Sequence, residues 1–169
     1  MTTSLIDVNS LVPGQILATL DKGVISTAHI MRWSAAVENF HRIHYDHAFA
    51  TGHDKLPGIL INGSWKQHVL VQLVKVSLGS EGWLWRLRFR YKKMDLAGDA
   101  LRAVSQVVHA RTMGDLVFIT LAVQLVNHLG EISTAGHAIG VLPAHPGVRV
   151  PYPFVPQDVH REIDFPQDD

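Results

Sequence analysis

The chain has 169 residues, 47% of them apolar and 18% charged, with 15 basic side chains balancing 15 acidic ones and no cysteine. That length suits one domain with a real core, and that composition excludes disorder over most of the chain. The even charge argues against a nucleic-acid binder, which needs a basic face to displace counterions from phosphate. The missing thiols exclude disulfides, thiolate metal sites and a cysteine nucleophile.

Residues Met1–Ser10 carry Asp7 and neither a cationic segment nor a long apolar run, so they do not read as a signal peptide. Further on, Ile30, Trp33, Val37 and Phe40 recur at helical spacing after Ser26 or Thr27 as N-cap, which predicts an amphipathic helix of about three turns. Residues Phe40–Ile61 are rich in His, Gly and Asp and read as loop with short helical turns. Ser64 and Gln67 then have the spacing of a capping box, and a nearly apolar run follows to Leu78 before Gly79. The valines in that run would also suit a strand, but its length, cap and closing glycine favour a buried helix. Gln72 and Lys75 interrupt it and it is too short to span a bilayer. A soluble cytoplasmic protein with no membrane partner is expected.

At Trp83 the period changes to two. Trp83, Trp85, Leu87, Phe89 and Tyr91 alternate with Arg86, Arg88, Arg90 and Lys92, predicting a strand whose apolar face packs on the helix. The arginine face is by default solvated, with contact to a charged ligand as the functional alternative. Strands are expected at Leu101–Ala110, Leu116–Val126 and Ile132–Leu142, with turns at Ala97-Gly98-Asp99, Met113-Gly114-Asp115 and Leu129-Gly130-Glu131. An antiparallel sheet filled by one apolar helix is an α+β arrangement, and a sheet wrapped round a long central helix, the hot dog, fits this order of elements. Six of the eight prolines lie from Pro143 onward. Each removes an amide donor and fixes φ, so 143–169 reads as an extended strap beyond a single domain of residues 1–142, with Gln167–Asp169 frayed.

The stretch that carries chemistry is Glu38-Asn39-Phe40-His41-Arg42-Ile43-His44-Tyr45-Asp46, followed by Gly58–Ser64. His41–Asp46 reads HRIHYD, and this context resembles the MaoC-like (R)-specific enoyl-CoA hydratases and 3-hydroxyacyl-thioester dehydratases, in particular members with an HRIHYD run such as mesaconyl-CoA hydratases. Pro13-Gly14, Gly23–Ser26, the RFRY run and Ala97-Gly98-Asp99 are similar to that family's lead-in and middle strands, so the resemblance covers roughly 13–142. Two positions depart from the commonest pattern: Asn39 stands where an acid precedes His44 by five residues, and Asn62 replaces the histidine of a His-Gly pair. The first removes a possible general base, because an amide does not accept a proton near neutral pH.

The resemblance implies a hot-dog fold and a hydro-lyase acting across the 2,3 bond of an acyl-CoA thioester, with coenzyme A only as part of the substrate and no separate cofactor or metal. His44 and Asn39 are the implied catalytic residues, and Gly63, Ser64, Asn62 and Tyr45 the implied substrate-binding ones. A histidine near its ordinary pKa can move the proton. Asn39 can orient the water, and the thioester carbonyl can sit at the N-terminus of the central helix, on the amide of Gly63 or Ser64. Family members pair into dimers, so a homodimer or higher oligomer, or pairing with a second hot-dog chain, is expected.

Each of these residues also has a plainer reading. His44 could be a hydrogen-bonded core histidine, Asn39 a turn residue and Gly63 an ordinary helix entry. His41, His44 and His47 recur every three residues, but that spacing drifts off one helical face and is a weak metal signal. Ser64 is not in a Gly-x-Ser-x-Gly elbow, which argues against a serine hydrolase. Two alternatives stay open: a hot-dog thioesterase using Asp46 or Asp54, and a non-catalytic subunit completing another chain's site.

Overall fold

A computed structural model describes residue 6 and residues 8–166; the terminal residues 167–169, expected to fray, lie outside the described residues. Five strands, β1 (Ile16–Val24), β2 (Trp83–Tyr91), β3 (Ala100–Met113), β4 (Leu116–Asn127) and β5 (Ile132–Pro143), form one antiparallel sheet in the order β1-β3-β4-β5-β2. Helix α1 (Thr27–Ala36) follows β1, and helix α2 (Gly63–Leu78) runs along the inner face of the sheet. This is the hot-dog arrangement.

Helix α2 exists because the sheet buries it. Val69, Leu70, Leu73 and Val74 are fully buried and Leu78 is 2% exposed, packed against Ala103 and Val107 of β3, Ile119, Leu121 and Leu125 of β4, and Ala138 of β5. At ~1.5–3 kcal/mol per buried aliphatic side chain, these five contribute on the order of 10 kcal/mol, enough to override the modest helix propensity of the valines. The helix stops at Gly79, whose φ of +69° turns the chain while its amide bonds the Lys75 carbonyl. The expected capping box at its start does not form. The N-cap is Asn62, and Ser64 instead accepts a hydrogen bond from Trp33 Nε1 at 2.8 Å. At α1 the cap is Ser26, in a reciprocal box with His29, and Val37 and Phe40 fall beyond the helix and are exposed.

β1 is absent from the sequence expectation; in ILATLDKGV the apolar residues do not alternate cleanly, and as an edge strand it buries little besides Ala18. The strict alternation expected along β2 is also broken. A register shift against β5 between Leu84 and Arg86 marks a bulge, which turns Trp83 and Trp85 to the outer face while Leu84, Leu87 and Phe89 pack toward α2. The outer face at that end is covered by the proline-rich segment after β5. Phe154 and Ile163 bury themselves against Phe118, Ile139 and Val141, with Trp83 and Trp85 at the border. Two arginines of β2 hold the segment down: Arg86 donates to the Ile163 carbonyl at 3.1 Å and to Asp164 at 2.9 Å, and Arg88 donates to the Pro166 carbonyl at 2.9 Å. Their guanidinium groups lie 4.6 and 4.8 Å from the Phe165 ring centre. No helix among the described residues is long and apolar enough to cross a membrane.

Candidate active site

HRIHYD folds back on itself. His41 Nδ1 accepts from the Ile43 amide at 3.4 Å, Asp46 accepts from Arg42 at 2.7 Å and from the Phe49 amide at 2.9 Å, and the Tyr45 hydroxyl donates to the Phe40 carbonyl at 2.8 Å. The Asp46 carboxyl titrates below its ordinary range, first because of the Phe49 amide and then because of Arg42. Every polar side chain except His44 is thus spent locally on fixing one loop conformation. The side chain at the middle of that loop, His44, is 6% exposed.

Its placement is fixed from both ends. The Leu60 amide bonds the Ile43 carbonyl at 3.0 Å, and the Leu60 carbonyl lies 2.8 Å from His44 Nδ1. A carbonyl can only accept, so Nδ1 carries the proton and the neutral ring presents Nε2 as an acceptor. Nε2 has no hydrogen-bond partner among the described residues. Burial pushes the His44 pKa below its ordinary value; the Leu60 bond opposes this, and the neighbouring His41 adds to it. The result is a base that is unprotonated at neutral pH.

Leu60 stands two residues before Asn62, the N-cap of α2, so the loop that holds His44 is tied to the start of the central helix. There the Trp65 and Lys66 amides bond the Asn62 carbonyl at 3.1 and 3.2 Å. Among the described residues the Gly63 and Ser64 amides have no acceptor. They are the first two donors of a 16-residue helix, where the dipole favours negative charge. A side chain at Gly63 would put its Cβ 3.0 Å from the Tyr91 ring, whose hydroxyl donates to the Gly63 carbonyl at 2.8 Å. Below this end lies a buried ion pair: Lys66 Nζ is 2.6 Å from Asp95 Oδ2, off the hydrogen-bonding direction, and also donates to the Lys93 carbonyl at 3.0 Å.

The structure thus joins His44, Gly63 and Ser64 through Leu60 and the N-cap. Asn39 is half-buried, and its Oδ1 accepts from the His41 amide at 3.3 Å, an Asx turn, so the plain turn reading holds for the oxygen while the Nδ2 donors remain for a ligand. It follows Glu38, which turns the chain with a φ of +53°. The Asn62 side chain is fully buried and faces Ser34 of α1, donating Nδ2–H to Ser34 Oγ at 3.0 Å, so what Asn62 brings to the helix end is its backbone. Tyr45 is exposed with its hydroxyl committed to Phe40. Ser34 was not legible as a site residue, since a lone serine on a helix carries no spacing signal. Nor was a groove of about 390 Å³ beside Ser64, lined by Lys22, His29, Arg32, Trp33, Ala36 and Trp65. Its residues come from β1, α1 and α2 and are scattered along the chain.

Fold and site together define a hot-dog domain carrying a buried, neutral histidine tied to the open N-terminus of its central helix. Residues 14–99 match the family described as hydroxyacyl-thioester dehydratase type 2, and the chain belongs to that family of MaoC-like hydratases and dehydratases. Among solved structures it is similar to an (R)-hydratase from A. caviae involved in PHA biosynthesis, at 24% identity and a TM-score of 0.71 over 80% of this chain and 100% of that one. A MaoC-like dehydratase from Rhodospirillum rubrum is similar at 17% identity and a TM-score of 0.70, covering 83% and 99%. A chain of the ChsH1-ChsH2 complex from Mycobacterium tuberculosis is similar at 18% identity and a TM-score of 0.66, covering 78% and 98%. At these identities the likeness speaks for the fold. No curated protein sequence matches the chain.

Proposed function

We propose that the protein is a hydro-lyase that adds water to, or removes it from, the 2,3 bond of an acyl-CoA thioester, as in enoyl-CoA hydration and 3-hydroxyacyl-CoA dehydration. The observation that carries this reading is the tautomer of His44: Nδ1–H is tied to Leu60, leaving the Nε2 of a largely buried ring free to take a proton. In the hydration direction Nε2 removes a proton from water held by the Asn39 amide. The hydroxyl oxygen bonds to the β-carbon, and the electron pair of the double bond moves onto the thioester carbonyl. The developing oxyanion is met by the Gly63 and Ser64 amides at the positive end of α2. The imidazolium then returns its proton to the α-carbon. Atoms and charge balance without a metal or a cofactor.

The groove beside Ser64 supports coenzyme A as the carrier, because Lys22 and Arg32 offer cations to phosphates and Trp33 and Trp65 offer rings to an adenine. Of the two carboxylates considered for a thioesterase, Asp46 is occupied by Arg42 and the Phe49 amide, and Asp54 is paired with His53 at 2.6 Å. The sheet ends in β1 and β2 as open edges, which supports pairing with a second copy or a second hot-dog chain. The test is to incubate the purified protein with crotonyl-CoA and mesaconyl-CoA, following enoyl absorbance and free thiol separately. Loss of absorbance without thiol release is expected, with a higher KM for the pantetheine thioester that lacks the nucleotide. Thiol release without hydration would replace this reading by a thioesterase.

A further inference from the structure

Asparagine is among the strongest helix N-cap residues because its side-chain oxygen takes the amide of the second or third helical residue. At α2 it does not. Asn62 sits at the N-cap with ordinary extended geometry, φ −60° and ψ 133°, yet its side chain makes no capping hydrogen bond. The carboxamide is turned away and closed on one partner: Nδ2 donates to Ser34 Oγ at 3.0 Å, and Ser34 Oγ–H donates back to Oδ1 at 3.4 Å. Ser34 is 1% exposed and Asn62 fully buried, so the pair is shielded from competing water. Ser34 also reaches the other half of the site, because its carbonyl accepts the Asn39 amide at 2.9 Å. One residue near the end of α1 therefore sets both the side chain beside the helix terminus and the start of the loop that carries Asn39 and His44.

We infer that Ser34 is a positioning residue that keeps Asn62 from capping α2, so that the Ser64 amide stays open to an incoming oxygen. The inference rests on the hydratase reading for its kinetic consequence and not for its geometric one. Without Ser34 Oγ, the carboxamide has no partner on α1, and of the second and third helical amides that an N-cap side chain reaches, Trp65 is already bonded to the Asn62 carbonyl and Ser64 is open. The helix then caps itself and the oxyanion site is filled from within. Losing a preorganised donor to a developing oxyanion lowers kcat by about a hundred- to a thousand-fold.

The geometric part is read by amide hydrogen exchange of Ser64 in the full-length protein, by NMR, in wild type, Ser34→Ala, Ser34→Thr and the double variant Ser34→Ala/Asn62→Gly. The Ser64 amide exchanges fast in wild type and is protected at least tenfold in Ser34→Ala. It is fast again in Ser34→Thr, which keeps the hydroxyl, and in the double variant, which has no carboxamide. With crotonyl-CoA, kcat falls about a hundredfold in Ser34→Ala with little change in KM, and the double variant recovers at least tenfold of that loss. Should Ser34→Ala not fold, the double variant, which leaves no unpaired buried polar atom, is compared directly with wild type. An unprotected Ser64 amide in Ser34→Ala, or a double variant that exchanges slowly or shows no recovery, overturns the inference. A wild type that hydrates no thioester while the exchange pattern holds defeats the hydratase reading and leaves Ser34 as the residue that keeps the helix end open.

Discussion

Lys66→Met tests whether the helix that presents the site is anchored by charge. The Lys66 side chain is 4% exposed and that of Asp95 is fully buried, with 2.6 Å between Nζ and Oδ2 and no hydrogen-bond partner for Asp95 Oδ1 among the described residues. Methionine keeps the length of the stem and removes only the charge and its donors. It leaves a buried carboxylate with neither cation nor hydrogen bond, a loss that costs about 3–5 kcal/mol. For a domain of this size each kcal/mol moves Tm by about 2–4 °C, so a fall of roughly 6–20 °C is expected. The assay is thermal unfolding followed by far-ultraviolet circular dichroism at one fixed protein concentration, because any oligomer makes Tm concentration-dependent. Lys66→Met/Asp95→Leu should recover much of the loss, since an apolar pair can replace a buried ion pair at little cost. A fall below about 2 °C in the single variant, or no recovery in the double, would refute the assignment of this pair as an anchor.

Because burial lowers the His44 pKa from 6.5, the acid limb of kcat/KM is expected below pH 6.5; a limb above that value would mean His44 is not the base that titrates. The same shift means that the unfolded chain binds the proton more readily than the folded one. The His44 contribution to stability is therefore full above pH 6.5 and lost as pH falls through the folded value, which urea unfolding across pH 5–8 checks. Asn39→Asp retains the Asx-turn acceptor and adds a carboxylate to the loop, so it should keep substantial activity and move the acid limb upward; an unshifted limb would separate Asn39 from His44. In Gly136→Ala the new Cβ would lie 2.0 Å from the Arg88 carbonyl oxygen, a backbone atom that cannot swing aside, so β2 must separate from β5 and Tm should drop by several degrees.

Most of the architecture was legible because it rests on periodicity. The switch from the run ending at Leu78 to the alternation beginning at Trp83 marks a helix followed by a strand, and β2 spans the expected Trp83–Tyr91. The glycine turns also carry their signal in the residue itself, with φ of +103°, +59° and +79° at Gly98, Gly114 and Gly130. What the sequence hid were features in which neighbours override the local pattern. The bulge in β2 moves Trp83 and Trp85 to the outer face, where the strap gives them partners, and no period-two reading can see a partner 70 residues away. The run of buried residues Val117–Leu121 in β4 has the same cause, one face covered by α2 and the other by Phe154 and Ile163. At the site, HRIHYD named the loop that holds His44, but the partners that define its chemistry, Leu60 for the tautomer and Ser34 for the helix end, are distant in the chain. The capping box at Ser64 failed for the same reason, since Trp33 claims that hydroxyl.

The central claim is that His44 moves the proton. It is tested most directly by the rate of hydration of crotonyl-CoA by His44→Ala against wild type, with circular dichroism to verify the fold. Removing a positioned acid–base group lowers kcat by about a hundred- to ten-thousand-fold, and that loss is the predicted result. A folded His44→Ala that hydrates the thioester as fast as wild type would contradict the account.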